Sequence, residues 1–345
     1  MLKALSYDDV LLIPQHSDIS SRSEIDIGNV LEDPEYELGL PIFSSPMDTV
    51  TWINMAIAIE RWGGLGVLHR YCSIQEQVDA YEKCASSNAY PACAVGVSGD
   101  YLERIAALRA VGCMCFCVDV AHGHHENVAK TIRDIKSRYS NHVHVMAGNV
   151  ATAEGYWFLS EAGADSIRVG IGGGSICSTR IKTGHGVPTL QSLLDIANSE
   201  QNYLSNIKPA LIIADGGIKT SGDIVKAIAA GADFVMLGSL LAGTDEAPGH
   251  KVETGAGVMK EYRGMASAEA QNAWRGYVGS DEGIATLVPY KGSVTAVLKS
   301  LAQGIRSGFS YSGARTMPEF KSKAKFIQQT AAGQFESSTH IYARS

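Results

Sequence analysis

Short apolar runs recur along the chain, and each is followed by a longer stretch whose apolar positions repeat at helical spacing. That alternation is what parallel strands joined by helices require. Eight strands are predicted, at 41–46 (PIFSSP), 64–69 (GLGVLH), 92–97 (ACAVGV), 113–120 (CMCFCVDV), 142–150 (HVHVMAGNV), 166–171 (SIRVGI), 210–217 (ALIIADGG) and 234–239 (FVMLGS). Helical periodicity falls between them at 54–62, 74–84, 102–111, 127–138, 153–162 and 222–230, with a last helix over 293–307. Eight units in roughly 200–250 residues match an α/β fold of the TIM (β/α)8-barrel type. An open doubly wound sheet would carry a glycine-rich turn after its first strand. Residues 44–49 read SSPMDT instead, and GIGGG at 170–174 follows the sixth run without the full spacing. One domain is expected from 1 to 345, with a glycine- and charge-rich insertion after strand 8 at about 243–292. Long insertions without structure of their own tend to be lids or substrate flaps. A polar tail from about 320 to 345 is expected either to wrap a neighbouring subunit or to be mobile.

Composition narrows the partners. The chain has 345 residues, 45% of them hydrophobic, and a net charge of -7, which gives no general attraction for nucleic acid or an anionic membrane. No apolar stretch reaches the roughly 20 residues that span a bilayer, and the N-terminus has no apolar run of the secretion type. A cytoplasmic protein without nucleic-acid or membrane partners is expected. The seven cysteines are odd in number and mostly lie in apolar runs, as reduced core thiols do. Cys113, Cys115 and Cys117 are expected on one strand face. No second Cys/His pair follows them at metal spacing, so they are expected to pack the core. His122, His124 and His125 likewise lack further ligands at defined spacing.

In a barrel of this kind the chemistry sits at the C-terminal strand ends. Those ends carry Ser45 and Asp48, His69 and Arg70, Asp119 and His122, Asn149, the loop 172–180, Asp215 with Gly216 and Gly217, and Gly238 with Ser239. Glycines after strands 7 and 8 suit a phosphate site, because the backbone can approach the anion closely, and Ser175 can add a hydroxyl. Cys177 alone among the cysteines lies in a Gly/Ser/Thr-rich loop, where a thiol can be activated. A loop cysteine is inert about as often as reactive, so position does not decide. Thr179 can exchange a proton, and Glu282, within the insertion, is either an acid/base or one more solvated charge.

Taken in order, LSYDDVLLIP, SSPMDTV, DVAHGH, AGNVAT, GGGSICSTR, ADGGI, FVMLGS, YRGM and VPYKGSV resemble the IMP dehydrogenase and GMP reductase family over most of the chain. The resemblance implies that Cys177 attacks C2 of a purine nucleotide, with Thr179 and Glu282 completing the catalytic set. It places the nucleotide on Ser45, Met47, Ser175, Asp215, Gly216, Gly217, Gly238, Ser239, Tyr262, Gly264 and Met265. It places a nicotinamide cofactor on Arg70, Asp119, Val120, Ala121 and Asn149, and a potassium ion on the backbone carbonyls of Gly172, Gly174 and Cys177. A homotetramer is implied as well.

Three features resemble the reductase branch, which converts GMP to IMP and ammonia with NADPH. Between His69 and Cys93 there is no room for the paired (CBS) regulatory domain that most dehydrogenases insert there. The stretch from Gly264 to Glu282 is short, and it carries Arg275-Gly276-Tyr277 rather than an adjacent Arg-Tyr pair. DVAHGH is reductase-like. SSPMDTV and GGLGVLHR look more like a dehydrogenase, which would oxidise IMP with NAD and water. Gly173, Ser178 and Arg70 stand where the family usually has proline, threonine and lysine, and a guanidinium does not donate protons as an ammonium does. The expected activity is therefore GMP reduction. The alternatives are a dehydrogenase without CBS domains and a catalytically silent nucleotide-binding barrel.

Overall fold

The computed structural model describes residues 3–32, 36–199 and 207–337. Eight parallel strands close into a barrel: β1 (Ile42–Ser44), β2 (Leu65–Leu68), β3 (Ala92–Val95), β4 (Cys115–Asp119), β5 (His144–Val150), β6 (Ser166–Val169), β7 (Leu211–Asp215) and β8 (Phe234–Leu237). Closure runs from β8 back to β1, with Val235, Met236 and Leu237 in register with Ile42, Phe43 and Ser44. All eight fall inside the predicted runs.

These strands read as continuous apolar runs because both faces are buried. Alternate residues point inward, where Phe43, Val67, Ala94, Cys117, Met146, Ile213 and Phe234 fill the barrel, and Phe43 stacks on Phe234 at 4.8 Å. The intervening positions, such as Phe116, Val118, Ile167 and Val169, face the surrounding helices. Those helices are α1 (Ile53–Arg61), α2 (Ile74–Ala85), α3 (Tyr101–Ala110), α4 (Glu126–Tyr139), α5 (Ala153–Glu161), α6 (Thr189–Ala197), α7 (Ser221–Ala229) and α8 (Val294–Tyr311). Helix starts follow the sequence: Ser73 with Glu76 and Thr220 with Asp223 form capping boxes, which satisfy backbone N–H groups that a helix leaves open. The connection from β2 to β3 is the single helix α2 with its two loops. At the opposite end a hairpin of Asn29–Leu31 and Tyr36–Leu38 inserts Leu31 and Leu38 into the interior cluster.

Three expectations are corrected. The insertion at 243–292 is folded: Lys251–Thr254, Gly257–Arg263 and Ala285–Pro289 form an antiparallel sheet, with a helix at Ala268–Arg275 between the last two. Its alternation is masked by charged residues on strands that are exposed at most positions. The tail is docked up to residue 337. Helix Met317–Lys323 buries Phe320 against Phe309, and strand Phe326–Gln328 pairs antiparallel with Val10–Leu12. Residues 338–345 lie outside the described residues. Finally, Cys113 precedes β4 and packs in the outer layer, so only Cys115 and Cys117 face the barrel interior. Among the described residues no helix is long and apolar enough to cross a membrane.

Candidate active site

The C-terminal strand ends surround a cavity of about 540 Å³, and every residue assigned above to catalysis, nucleotide, cofactor or cation lines it. The strand-end residues Asp48, His69 and His122 do not. Asp48 turns aside to accept from Arg263 of the insertion, Nη2 to Oδ2 at 2.5 Å. His69 is buried against Trp52, with ring centroids 4.5 Å apart. Burial pulls the His69 imidazole down to about 4, so it is neutral at neutral pH. His124 packs on Phe158 and His125 caps α4 through Nδ1.

The loop after β6 carries the candidate nucleophile into this cavity. Gly170 and Gly172 have positive φ, which glycine tolerates without strain. A side chain on Gly170 would meet the Asp215 carbonyl oxygen at 2.0 Å. The loop then turns at Cys177, whose N–H donates to the Gly174 carbonyl at 3.1 Å, and enters a short helix, Thr179–Thr183. Cys177 Sγ donates to Thr179 Oγ1 at 3.2 Å, and Thr179 Oγ1 donates to Glu282 Oε2 at 2.8 Å. Glu282 Oε1 accepts from Ser280 Oγ at 2.7 Å. The insertion is held to the loop by its backbone as well. Ser178 N–H donates to the Glu282 carbonyl at 2.9 Å, and Ile284 N–H to that of Ile176 at 3.1 Å. Burial raises the thiols of Cys72 to about 11 and of Cys84 and Cys117 to about 12, which suppresses the nucleophilic thiolate at those three positions.

Opposite the loop, glycines open a concave surface. Gly216 and Gly217 follow one another with φ of 92° and 81°, and a side chain on Gly216 would lie 3.0 Å from the Gly174 amide nitrogen. A Cβ on Gly238 would lie 3.0 Å from the Tyr262 hydroxyl. Burial raises the phenol of Tyr262. Lys291 fixes the turn after β8 by donating to the carbonyls of Ser239 at 2.6 Å and Leu240 at 3.2 Å. Amides, hydroxyls and open space converge here, a combination that suits an anion.

On the other side Arg70 donates to the Asp119 carbonyl at 3.2 Å and lies over Tyr71, 5.4 Å from the ring centroid. Its Nε is buried without a hydrogen-bond partner. Asn149 donates both to Gly170 at 2.9 Å and to Asp215 Oδ2 at 2.8 Å. Among the cavity residues that escape a reading of the sequence are Arg168, Gln271, Ser280 and Tyr71. Arg168 has a signal, being a charge at an inward position of an otherwise apolar strand. Gln271, Ser280 and Tyr71 have none. Arg275, also at the cavity, is turned onto its own segment: it donates to Gln271 and to the Tyr277 carbonyl at 3.3 Å, with its guanidinium 4.5 Å from the Tyr277 ring.

Residues 4–340 match the family model described as "IMP dehydrogenase / GMP reductase domain". An inosine-5'-monophosphate dehydrogenase of Nitrosopumilus maritimus is 34% identical, covering 98% of this chain and 98% of the relative. That of Borreliella burgdorferi is 35% identical, covering 98% and 97%. Among solved structures, a single-residue variant of GMP reductase from Trypanosoma brucei in complex with guanosine 5'-monophosphate superposes with a TM-score of 0.90 at 29% identity, over 99% of this chain and 98% of that one.

Proposed function

Because the chain belongs to the IMP dehydrogenase / GMP reductase family, and so to oxidoreductases that work with a nicotinamide cofactor, we propose that it reduces GMP to IMP and ammonia at the expense of NADPH. The observation that carries this reading is the unbroken donor chain from Cys177 through Thr179 to Glu282. An amide anion is not a viable leaving group, so loss of the 2-amino group needs a proton delivered to it. The chain collects that proton from the thiol itself.

In this mechanism Cys177 Sγ adds to C2 of the purine as its proton passes to the Thr179–Glu282 pair. The pair returns the proton to the 2-amino nitrogen, the C2–N bond breaks, and ammonia leaves a purine joined to Cys177 at C2. Dividing one difficult displacement into two steps is the gain from covalent catalysis. Arg70, Asp119 and Asn149 would hold a reduced nicotinamide, whose chemistry when bound would be to supply a hydride to C2. The C2–S bond then breaks, releasing IMP and the thiolate, which takes up a proton from solvent. The buried Arg70 Nε, which has no hydrogen-bond partner and lies 3.9 Å from Asp119 Oδ2, fits a polar cofactor on that side. Gly216, Gly217, Gly238, Ser239, Ser175 and Tyr262 would hold the phosphate, Asp215 the ribose, and Ser45, Met47, Gly264 and Met265 the base.

The alternative reaction, oxidation of IMP, needs a group that activates water. Arg275 is held by Gln271 and Tyr277 on its own segment, which favours ammonia loss. Potassium fits less well. The Gly174 carbonyl already accepts from Cys177, and a side chain on Gly172 would lie 2.9 Å from the Arg180 Nε, so a fixed positive charge stands beside that loop. No step above depends on a cation. A homotetramer and a cytoplasmic site of action complete the reading. The test is to follow nicotinamide absorbance and ammonia with GMP plus NADPH, then with IMP plus NAD. Turnover with the first pair is expected; turnover with only the second overturns the assignment, and turnover with neither favours a silent nucleotide-binding barrel.

A further inference from the structure

We propose that Arg168 is a positioning residue that couples the two halves of the cavity, so that Asp119 governs how well Asp215 accepts the ribose of the purine nucleotide. This rests on the proposed placement of that ribose. Arg168 lies on β6 between Ile167 and Val169, both of which face the helices, and its side chain therefore points into the barrel. Barrel interiors are normally filled by branched apolar side chains. A buried guanidinium there is tolerated only when it is fully paired. It is: 7% exposed, Arg168 binds Asp119 Oδ1 through Nη1, and Asp215 Oδ2 through Nε at 3.2 Å and Nη2 at 2.9 Å. Room for it comes from Gly148 of β5, where a Cβ would lie 2.6 Å from the Arg168 Cβ.

The three strands involved set up an asymmetric arrangement. Asp119 ends β4 and Asp215 ends β7, and one rigid fork spans them. All three side-chain bonds to Asp215, from Arg168 Nε and Nη2 and from Asn149, fall on Oδ2. Its Oδ1 takes no such bond among the described residues, and Asp215 lines the cavity, which leaves that oxygen available to a ligand hydroxyl. Asp119 holds the far end of the fork, through Nη1, and thereby keeps the guanidinium from swinging round to engage both oxygens of Asp215. Guanidinium and carboxylate prefer the two-bonded, fork-to-fork arrangement when nothing opposes it. Neutralising Asp119 removes the opposing pull, and Arg168 then takes Oδ1 from the nucleotide.

The consequence is measurable without any cofactor. In calorimetric titrations with GMP alone, Asp119→Asn should weaken nucleotide binding about fivefold or more, the usual lower range for coupled sites. In an Arg168→Lys background, where a single ammonium cannot span both carboxylates, the same Asp119→Asn change should alter GMP affinity less than about twofold, below that coupled range. Near-ultraviolet circular dichroism and thermal melts on each variant establish that the barrel is intact. If Asp119→Asn leaves GMP affinity unchanged, or weakens it equally in both backgrounds, the inference fails. Asp215→Asn separates this from the underlying reading: unchanged GMP binding in that variant would sink the ribose placement itself.

Discussion

Thr179 and Glu282 stand 103 residues apart in the chain, yet the threonine hydroxyl donates to the glutamate at 2.8 Å. This bond, together with the backbone bonds from Ser178 to Glu282 and from Ile284 to Ile176, joins the insertion to the loop of the nucleophile and makes the site a composite of both. Replacing Glu282 by Gln, or Thr179 by Ala, should lower kcat by about 10²- to 10⁴-fold, the usual range for a lost proton-transfer partner, while GMP affinity changes little. Stopped-flow and titration calorimetry on the same preparations would check the split. A matching loss of affinity would show that the pair holds substrate rather than moving protons.

Cys177→Ala should abolish turnover and retain GMP binding. Intact-mass spectrometry of wild-type protein quenched during turnover should reveal a nucleotide adduct that the variant lacks. Retention of activity would exclude covalent catalysis. The buried Cys117, with its thiol raised to about 12, is not expected to substitute.

The insertion is also latched where Trp274 of its helix stacks on Tyr71 after β2, with centroids 6.0 Å apart at 20°. Aromatic pairs are worth about 0.5–1.5 kcal/mol beyond burial. Trp274→Ala should therefore raise the KM for the cofactor by roughly two- to tenfold with kcat within about a factor of two. A fall in kcat alone would assign the stack to catalysis rather than to closure.

His69 links stability to pH. Burial lowers its folded value from 6.5 to about 4, so between those values the unfolded chain binds the extra proton. Stability from this residue is fully present above pH 6.5 and is lost as pH falls toward 4, by up to about 3 kcal/mol. His69→Phe keeps the stack on Trp52 and should flatten the decline in melting temperature between about pH 7 and pH 5. An unchanged profile would assign that decline to other groups.

How much of this is legible in the sequence follows from what each feature depends on. The eight strands are readable because burial on both faces leaves an apolar run that no surface element shows, and the helices because their periodicity and caps are local. The folded insertion is hidden, since its strands expose most positions and lack an apolar alternation. The tail is hidden for a related reason: Phe320 and the strand at Phe326–Gln328 acquire their partners, Phe309 and Val10–Leu12, only by return of the chain. Motif order alone marks Cys177, Thr179 and Glu282 as one set.

The barrel, the strand-end positions of the polar residues and the family motifs can all be read along the chain, because period and order are properties of a line. Tertiary structure decided which of those residues meet. Glu282 reaches Thr179 and Arg168 spans Asp119 and Asp215 only because barrel closure brings distant strand ends within hydrogen-bond range. No spacing along the chain encodes such a distance.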